Sequence, residues 1–183
     1  MCAIYNTAIN EAFEFKDYLW IADIISLCIL LYVTKIKNEL NSSTISLITA
    51  VCVSTLSYYY EYFLCESLDE NSVALFRFAW YMGFVLLDCI AIYLIYKSHI
   101  VLQVRFRFIA RMIVGAYFIQ GLCHLVRYFE RVHWGTNLLS ETYRIMNISI
   151  NTGTTMVAFG IIAVVGYHIY TGKEQLSGKI WQL

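Results

Sequence analysis

Five long apolar segments restrict this chain of 183 residues to the folds that a lipid bilayer accepts. They cover residues 19–36, 44–64, 73–96, 109–126 and 145–170. A bilayer core about 30 Å thick is crossed by about 20 helical residues, and only helices or closed barrels satisfy the backbone there. The pattern predicts an all-α polytopic membrane protein, with five transmembrane helices in a single domain and no soluble domain. Because the first segment contains Asp23, four spans with an interfacial first helix is the alternative.

The composition excludes several classes of function. The chain is 60% hydrophobic and 14% charged, whereas soluble domains carry about 25% charged residues. Its formal net charge is zero, which gives no electrostatic basis for binding nucleic acid. The 6 cysteines are scattered singly and form no zinc-type pair. One histidine pair, His99 with His168, has matching depth for a haem, but both residues lie at span ends, where a solvated histidine is ordinary. We therefore predict no metal, no cofactor and, without any recognisable catalytic motif, no enzyme of a known motif class.

Lysine and arginine positions predict the orientation of the chain. The loops after the first and third segments and the C-terminal tail are basic, whereas the loop after the second segment is acidic. The positive-inside rule then places the N-terminus outside and the C-terminus in the cytoplasm of a plasma (inner) membrane. Lys97, Arg105 and Arg107 form a predicted cytoplasmic basic face. This face is expected to lie against lipid headgroups or to contact a soluble cytoplasmic protein.

Each predicted span carries one stripe of polar side chains. Such side chains are costly in lipid and normally face a protein interior, so we expect the stripes to meet in an intramembrane cluster. Its predicted members are Asp23, Glu61, Arg77, Tyr81, Asp88, Tyr117, Gln120, His124, Arg127, Asn147 and Asn151. Because an uncompensated buried charge is unfavourable, we expect Glu61 to pair with Arg127 or Arg77. Asp88 is expected to form a hydrogen bond with Gln120 or Asn151.

Small residues indicate two close helix contacts. Ser46, Ala50 and Ser54 repeat every four residues in the second span, and Gly153 belongs to a similar pattern in the fifth. Small residues at this spacing let helix backbones approach each other, within one chain or between two copies. We predict self-association of the chain.

These features predict a non-catalytic membrane subunit of a sensing or channel-like assembly that is coupled to a cytoplasmic partner. The first alternative is a small transporter or an ion or proton pathway that uses the carboxylates of Asp88 and Glu61. The second alternative is a membrane-embedded enzyme. Purely structural pairing of the polar stripes, which would fix helix register, remains a competing interpretation.

Overall fold

A computed structural model describes residues 21–32, 34–35, 41–67 and 73–171, and within these ranges every regular element is helical. Helix α1 covers Ile21–Tyr32. It is followed by α2 (Ser42–Ser67), α3 (Val73–Val101), α4 (Phe108–Phe129) and α5 (Ser140–Thr171). Helix α4 continues directly into a π-helical turn, Glu130–Trp134. The predicted all-α class is confirmed for the described residues.

Three of these helices are long and apolar enough to cross a membrane. They are Val73–Val101, Phe108–Trp134 and Ser140–Val164. Helix α2 has 26 residues, but its many hydroxyl side chains make it less apolar. Large apolar side chains such as Leu86, Met112 and Phe118 are exposed on the outer surface, as expected for a lipid-facing bundle. The number of five spans stays a prediction, because residues 19, 20, 33 and 36 of the first segment and both chain termini lie outside the described residues.

The helix ends follow from local sequence. Asn41 caps α2, since its Oδ1 accepts a hydrogen bond of 2.8 Å from the Thr44 backbone N–H. Helix α3 ends in a tight turn in which Gln103 adopts a left-handed conformation (φ 53°) and the Val104 N–H donates to the His99 carbonyl. The π-helical turn ends at Gly135, whose φ of 65° is readily adopted by glycine. The helices of the last two predicted spans are longer than predicted, since α4 with its π-helical turn continues to Trp134 and α5 begins at Ser140.

The core forms where α3 and α4 pack on each other and on α2, while α5 packs against α4 and α2. Helices α2 and α3 cross at Gly83, where an added Cβ would lie 1.9 Å from the Tyr60 hydroxyl oxygen. Buried apolar side chains fill the interior: Leu30, Leu47, Ala50, Val53, Leu87, Ala91, Ile95, Ile113, Tyr117 and Ala158. Helix α5 is the least enclosed, with only 11% of its most apolar window buried. Much of its surface is therefore free to face lipid or another chain.

Candidate functional site

Three helices bring Asp88, His124 and Tyr143 together in the interior. The His124 Nε2 atom lies 3.7 Å from the Asp88 Oδ2 atom, and neither of these two buried atoms has a hydrogen-bond partner among the described residues. On the other side of the ring, His124 Nδ1 lies 2.8 Å from the Tyr143 hydroxyl. Phe84 stacks on the imidazole, with the ring centroids 5.2 Å apart and the planes 14° apart. The histidine is thus held by α5 and by Phe84, while its contact with the carboxylate of α3 is not closed.

Further unpaired polar atoms lie one helical turn closer to the end of the bundle that carries Lys97 and Arg105, which we call the inner end; the opposite end is the outer end. Gln120 precedes His124 by one turn on α4, and Asn147 follows Tyr143 by one turn on α5. Because α4 and α5 form a hairpin, these two residues occupy neighbouring levels. Gln120 Oε1 and Asn147 Oδ1 are both buried without a hydrogen-bond partner. We call these residues with Asp88, His124 and Tyr143 the polar seam.

The outer end of the seam is closed by an ion pair that the sequence did not predict. Arg127, which is 4% exposed, donates to the Glu130 carboxylate and to the Asn137 side-chain oxygen. The other Glu130 oxygen accepts a 2.9 Å hydrogen bond from the Leu139 backbone N–H. Arg127 therefore does not pair with Glu61 as expected, and Arg77, the alternative partner, forms no ion pair with Glu61 among the described residues. Glu130 lies beyond the predicted end of the fourth span, and the π-helical turn brings its side chain back to the arginine.

At the inner end of the seam, a second polar group joins α1, α2 and α5. The Asp23 carboxylate accepts hydrogen bonds from the Ser54 hydroxyl at 2.8 Å and from the Thr155 hydroxyl at 2.7 Å. Nearby, the Tyr117 hydroxyl donates to the Ala50 carbonyl at 3.2 Å. These contacts fix the rotation of α1 and α5 about α2, because each hydroxyl reaches the carboxylate from a different helix.

An apolar layer lies between this inner group and the basic end of the bundle. It is formed by Leu47 of α2, Ile95 of α3, Ile113 of α4 and Ala158 of α5, each at most 5% exposed. These four residues belong to one cluster of buried side chains, in which Tyr117 is the member with a polar group among the described residues. The polar seam therefore extends from the outer end to about the middle of the bundle and stops there.

Below the apolar layer, His99 ties three helices at the basic end. Its Nδ1 contacts the Ile95 carbonyl at 2.6 Å, and its Nε2 lies 2.8 Å from the Ser42 hydroxyl. That hydroxyl also accepts a 3.1 Å hydrogen bond from the Arg107 backbone N–H. Because a carbonyl can only accept, the neutral ring carries its proton on Nδ1 and accepts from Ser42 at Nε2. This contact links the start of α2 to both ends of the α3–α4 turn.

The remaining predicted members of the intramembrane cluster differ in how deeply they are buried. Tyr81 is buried, with its ring 6.0 Å from that of Tyr143, whereas Glu61 and Arg77 are half-buried and Asn151 is exposed. Asp88 forms no hydrogen bond with Gln120 or Asn151, so that expected contact is wrong; the carboxylate faces His124 instead.

The predicted helix-contact residues and the predicted basic residues also differ in burial. Ser46 and Ala50 are fully buried, whereas a Cβ added at Gly153 would meet nothing within 4 Å. Within the described residues, Gly153 therefore makes no close helix contact. Lys97 and Arg105 are exposed, and Arg107 is half-buried near Ser42.

The described cysteines differ in oxidation state. Cys65, near the end of α2, is disulfide-bonded. The other described cysteines are free, and Cys28, Cys52 and Cys89 are exposed on the surfaces of their helices. Cys65 thus lies at the end opposite to Lys97 and Arg105.

Four residues of the site were missed by sequence reasoning: Ser42, Glu130, Tyr143 and Thr155. Tyr143 and Glu130 lie just outside the predicted spans. The criterion that polar side chains are costly in lipid therefore did not select them. Thr155 lies next to Thr154, which fits the predicted stripe better but donates to the Ile150 carbonyl of its own helix. A stripe widened by one position on each side would have included Thr155.

Comparison of the chain with protein-family models, with curated proteins and with solved structures found no match. The functional interpretation therefore depends on the geometry described above.

Proposed function

We propose that this protein is a non-catalytic membrane subunit that senses conditions outside the membrane, and that the Asp88–His124 pair is its responsive element. The observation that supports this proposal is the open contact between two shielded, ionisable groups on different helices. They lie 3.7 Å apart without a hydrogen bond. A fully structural pair would be expected to close, because buried polar groups normally find partners.

Proton uptake by His124 would change two contacts at once. In the neutral ring, Nε2 carries the proton towards Asp88, and Nδ1 accepts from the Tyr143 hydroxyl. In the imidazolium, both nitrogens donate, so the hydrogen bond to Tyr143 must reverse its direction. The attraction between imidazolium and an ionised Asp88 would draw the two atoms to about 2.8 Å, the usual length of a charged hydrogen bond. Since Asp88, His124 and Tyr143 lie on α3, α4 and α5, this change alters the packing of three helices.

The groups around the pair leave Asp88 as the charged partner of a protonated His124. Arg127, one turn beyond His124, is already bound to Glu130 and Asn137. The other titratable side chains near the ring are Tyr143, which contacts it directly, and Tyr81, whose ring lies 6.0 Å from that of Tyr143. Asp88 is therefore the charged group that an imidazolium at position 124 would meet first.

The apolar layer supports sensing over conduction. A proton or ion pathway needs polar groups or water on both sides of its midpoint, as well as between them. Here Leu47, Ile95 and Ile113 are closely packed between the seam and His99. Flux through Asp88 and Glu61 would require that this layer open.

The topology belongs to the same proposal. We place five spans in the plasma membrane, with the N-terminus outside and the C-terminus in the cytoplasm. The disulfide of Cys65 supports an outer position for that end of α2, because disulfides persist in oxidising compartments. The exposed side chains of Lys97 and Arg105 then face the cytoplasm, where they would contact headgroups or a soluble partner protein. Self-association would use the open surface of α5.

The proposal is tested in liposomes by changing only the external pH. Trp80 reports on the site, since its ring lies 5.3 Å from that of Phe84, which stacks on His124. We expect Trp80 fluorescence, in a variant whose other tryptophans are replaced by phenylalanine, to change as the external pH is lowered from about 8 to about 4, a range wide enough for a buried imidazole–carboxylate pair. His124→Gln and Asp88→Asn should each abolish the change, and His133→Gln, at an exposed histidine, should retain it.

A pH-sensitive dye inside the same liposomes separates the two leading functions. The sensing proposal predicts no proton influx above that of empty liposomes. Influx that disappears in Asp88→Asn would instead establish the pathway alternative. A fluorescence response that is identical in wild type and His124→Gln would refute the proposed role of the pair.

A further inference from the structure

Three exposed cationic side chains at the inner end have no acidic partner among the described residues. Lys97 lies near the end of α3, Arg105 in the α3–α4 turn and Arg111 in the first turn of α4. The arginine ion pairs between described residues both lie at the outer end. The adjoining segments 36–40 and 172–183, outside the described residues, contain more lysine than glutamate and so add no net negative charge. We call Lys97, Arg105 and Arg111 the inner cations.

The carboxylates of the described residues are too far away to neutralise the inner cations. Along α3, Asp88 precedes Lys97 by nine residues, which is about 14 Å of helix. The Asp23 carboxylate binds Ser54, which follows Ser42 at the inner end by 12 residues, or about 18 Å. Charges more than about 10 Å apart interact weakly in physiological salt. The other described acidic residues lie further towards the outer end: Glu61, Glu66, Glu130 and Glu141.

Backbone and ring contacts hold the turn that carries Arg105. On one side, the Val104 N–H donates a 3.0 Å hydrogen bond to the His99 carbonyl. On the other side, the Phe106 ring lies against the His99 ring, with the centroids 4.9 Å apart. Both neighbours of Arg105 are thus anchored to α3, while its own side chain is exposed. Because the backbone is already ordered, less entropy would be lost when this arginine binds a ligand.

Exposed apolar side chains next to the inner cations indicate a position at the membrane interface. Val101, 66% exposed, follows Lys97 by one turn, and Phe108, 63% exposed, precedes Arg111 by one turn. Each apolar side chain therefore lies one turn further from the middle of the bundle than the cation beside it. Lys97 and Arg111 also belong to helices that are long and apolar enough to cross a membrane. Long cationic side chains at such a depth reach the lipid headgroups.

We propose that the inner cations bind the headgroup of an anionic phospholipid. Lysine and arginine are the side chains that hold phosphate in proteins, and arginine can donate two parallel hydrogen bonds to its oxygens. Cations without a carboxylate favour a headgroup of net negative charge over phosphatidylcholine, whose phosphate is balanced by its own choline. A soluble acidic protein would have to reach past two apolar side chains, Val101 and Phe108, to meet the cations behind them.

Native mass spectrometry of the full-length protein in detergent tests this preference. Phosphatidylglycerol and phosphatidylcholine with the same acyl chains are added in equal amounts, and the lipids bound to the protein are counted. We expect bound phosphatidylglycerol to exceed bound phosphatidylcholine by about tenfold or more in the wild type. Lys97→Gln, Arg105→Gln and Arg111→Gln should each lower this ratio by about fivefold, the factor expected for one cation near an anionic headgroup.

Two control variants and a soluble competitor make the test specific. Arg144→Gln removes one positive charge from a side chain that is 58% exposed at the outer end, and it should keep the wild-type ratio. Arg111→Lys keeps the charge and should retain most of the preference. Glycerophosphoglycerol has the headgroup of phosphatidylglycerol without its acyl chains. At an equal concentration it should not displace the lipid, because it lacks the chains that lie against the apolar helices.

Two results would overturn the proposal. Equal lipid ratios in Arg144→Gln and in the three glutamine variants of the inner cations would leave a soluble acidic protein as their partner. Displacement of phosphatidylglycerol by an equal concentration of glycerophosphoglycerol would assign the site to a soluble phosphate compound.

The lipid site rests on the membrane embedding in the proposed function, but not on the compartment that the inner end faces. Failure of that embedding is seen separately, as protein that a carbonate wash releases from liposomes. None of the lipid-binding results bears on the Asp88–His124 pair, which is probed with different variants.

Discussion

Replacement of Gly83 by alanine tests the helix crossing that supports the site. An alanine Cβ at this position would lie 1.9 Å from the Tyr60 hydroxyl oxygen and 2.3 Å from the adjacent ring carbon. Tyr60 cannot move freely, because its hydroxyl donates a 2.7 Å hydrogen bond to the Ala79 carbonyl and its ring packs against Phe84. The substitution must therefore displace the ring or separate α2 from α3.

The expected cost follows from three contributions. Overpacking of a filled interior costs about 1–3 kcal/mol. Loss of the hydrogen bond from Tyr60 to Ala79 adds about 0.5–1.5 kcal/mol. Alanine recovers about 0.5–1 kcal/mol as the better helix former. The net loss in the free energy of unfolding should be about 2 kcal/mol.

Unfolding in mixed micelles of SDS and a mild detergent, followed by circular dichroism, measures this loss. Gly115→Ala is the matched control, because a Cβ at Gly115 meets nothing within 4 Å. It should leave the free energy of unfolding unchanged or raise it by up to about 1 kcal/mol. Tyr60→Ala should cost stability by itself, yet it should remove most of the additional cost of Gly83→Ala in the double variant.

Equal stability of the Gly83→Ala and Gly115→Ala variants would refute the close crossing of α2 and α3. A Gly83→Ala cost that persists in full in the presence of Tyr60→Ala would show that a different neighbour fills the space.

Three further predictions concern other parts of the bundle. Asn41→Ala should lower the free energy of unfolding by about 1 kcal/mol through loss of the α2 cap, and Asn41→Ser should restore it, as measured in the same micelles. Glu130→Gln should lower the thermal unfolding midpoint several times more than Glu141→Gln, because the first removes a buried partner and the second an exposed one worth about 0–1 kcal/mol. Cys89, exposed on α3 at the depth of the bilayer, should resist a membrane-impermeant maleimide and react with N-ethylmaleimide in liposomes; equal labelling by both reagents would place it in water.

The helices were predictable from the sequence because apolar length is a strong local signal. The segment 73–96 lies within α3, and 44–64 lies within α2, with errors of a few residues at the ends. The largest difference is at the outer end of α4, where the helix continues through Glu130–Trp134. The charged residues there indicated a loop, but Arg127 and Glu130 neutralise each other and allow the helix to continue.

The polar partners could not be predicted, because they depend on helix rotation and on side chains outside the apolar segments. Asp88 was expected to meet Gln120, yet the approach of α3 to Gly121 brings its carboxylate one turn further, to His124. Similarly, the predicted stripe of α5 contained Thr154, but the next residue, Thr155, is the one that reaches Asp23. Hydrophobic periodicity determines which face of a helix is buried, but it does not determine which atoms meet across the interface.

The apolar layer determines what kind of signal could leave the outer half of this bundle. The polar seam ends above Ile95, but α3 passes through the apolar layer as an unbroken helix from Asp88 to His99. Those 12 residues form a rod about 16.5 Å long, which is held just beyond its upper end by the crossing at Gly83 and tied at its lower end to Ser42. A change in tilt at one end of such a rod becomes a displacement at the other. Communication between the two faces of this protein would therefore be mechanical, carried by leverage along a single helix.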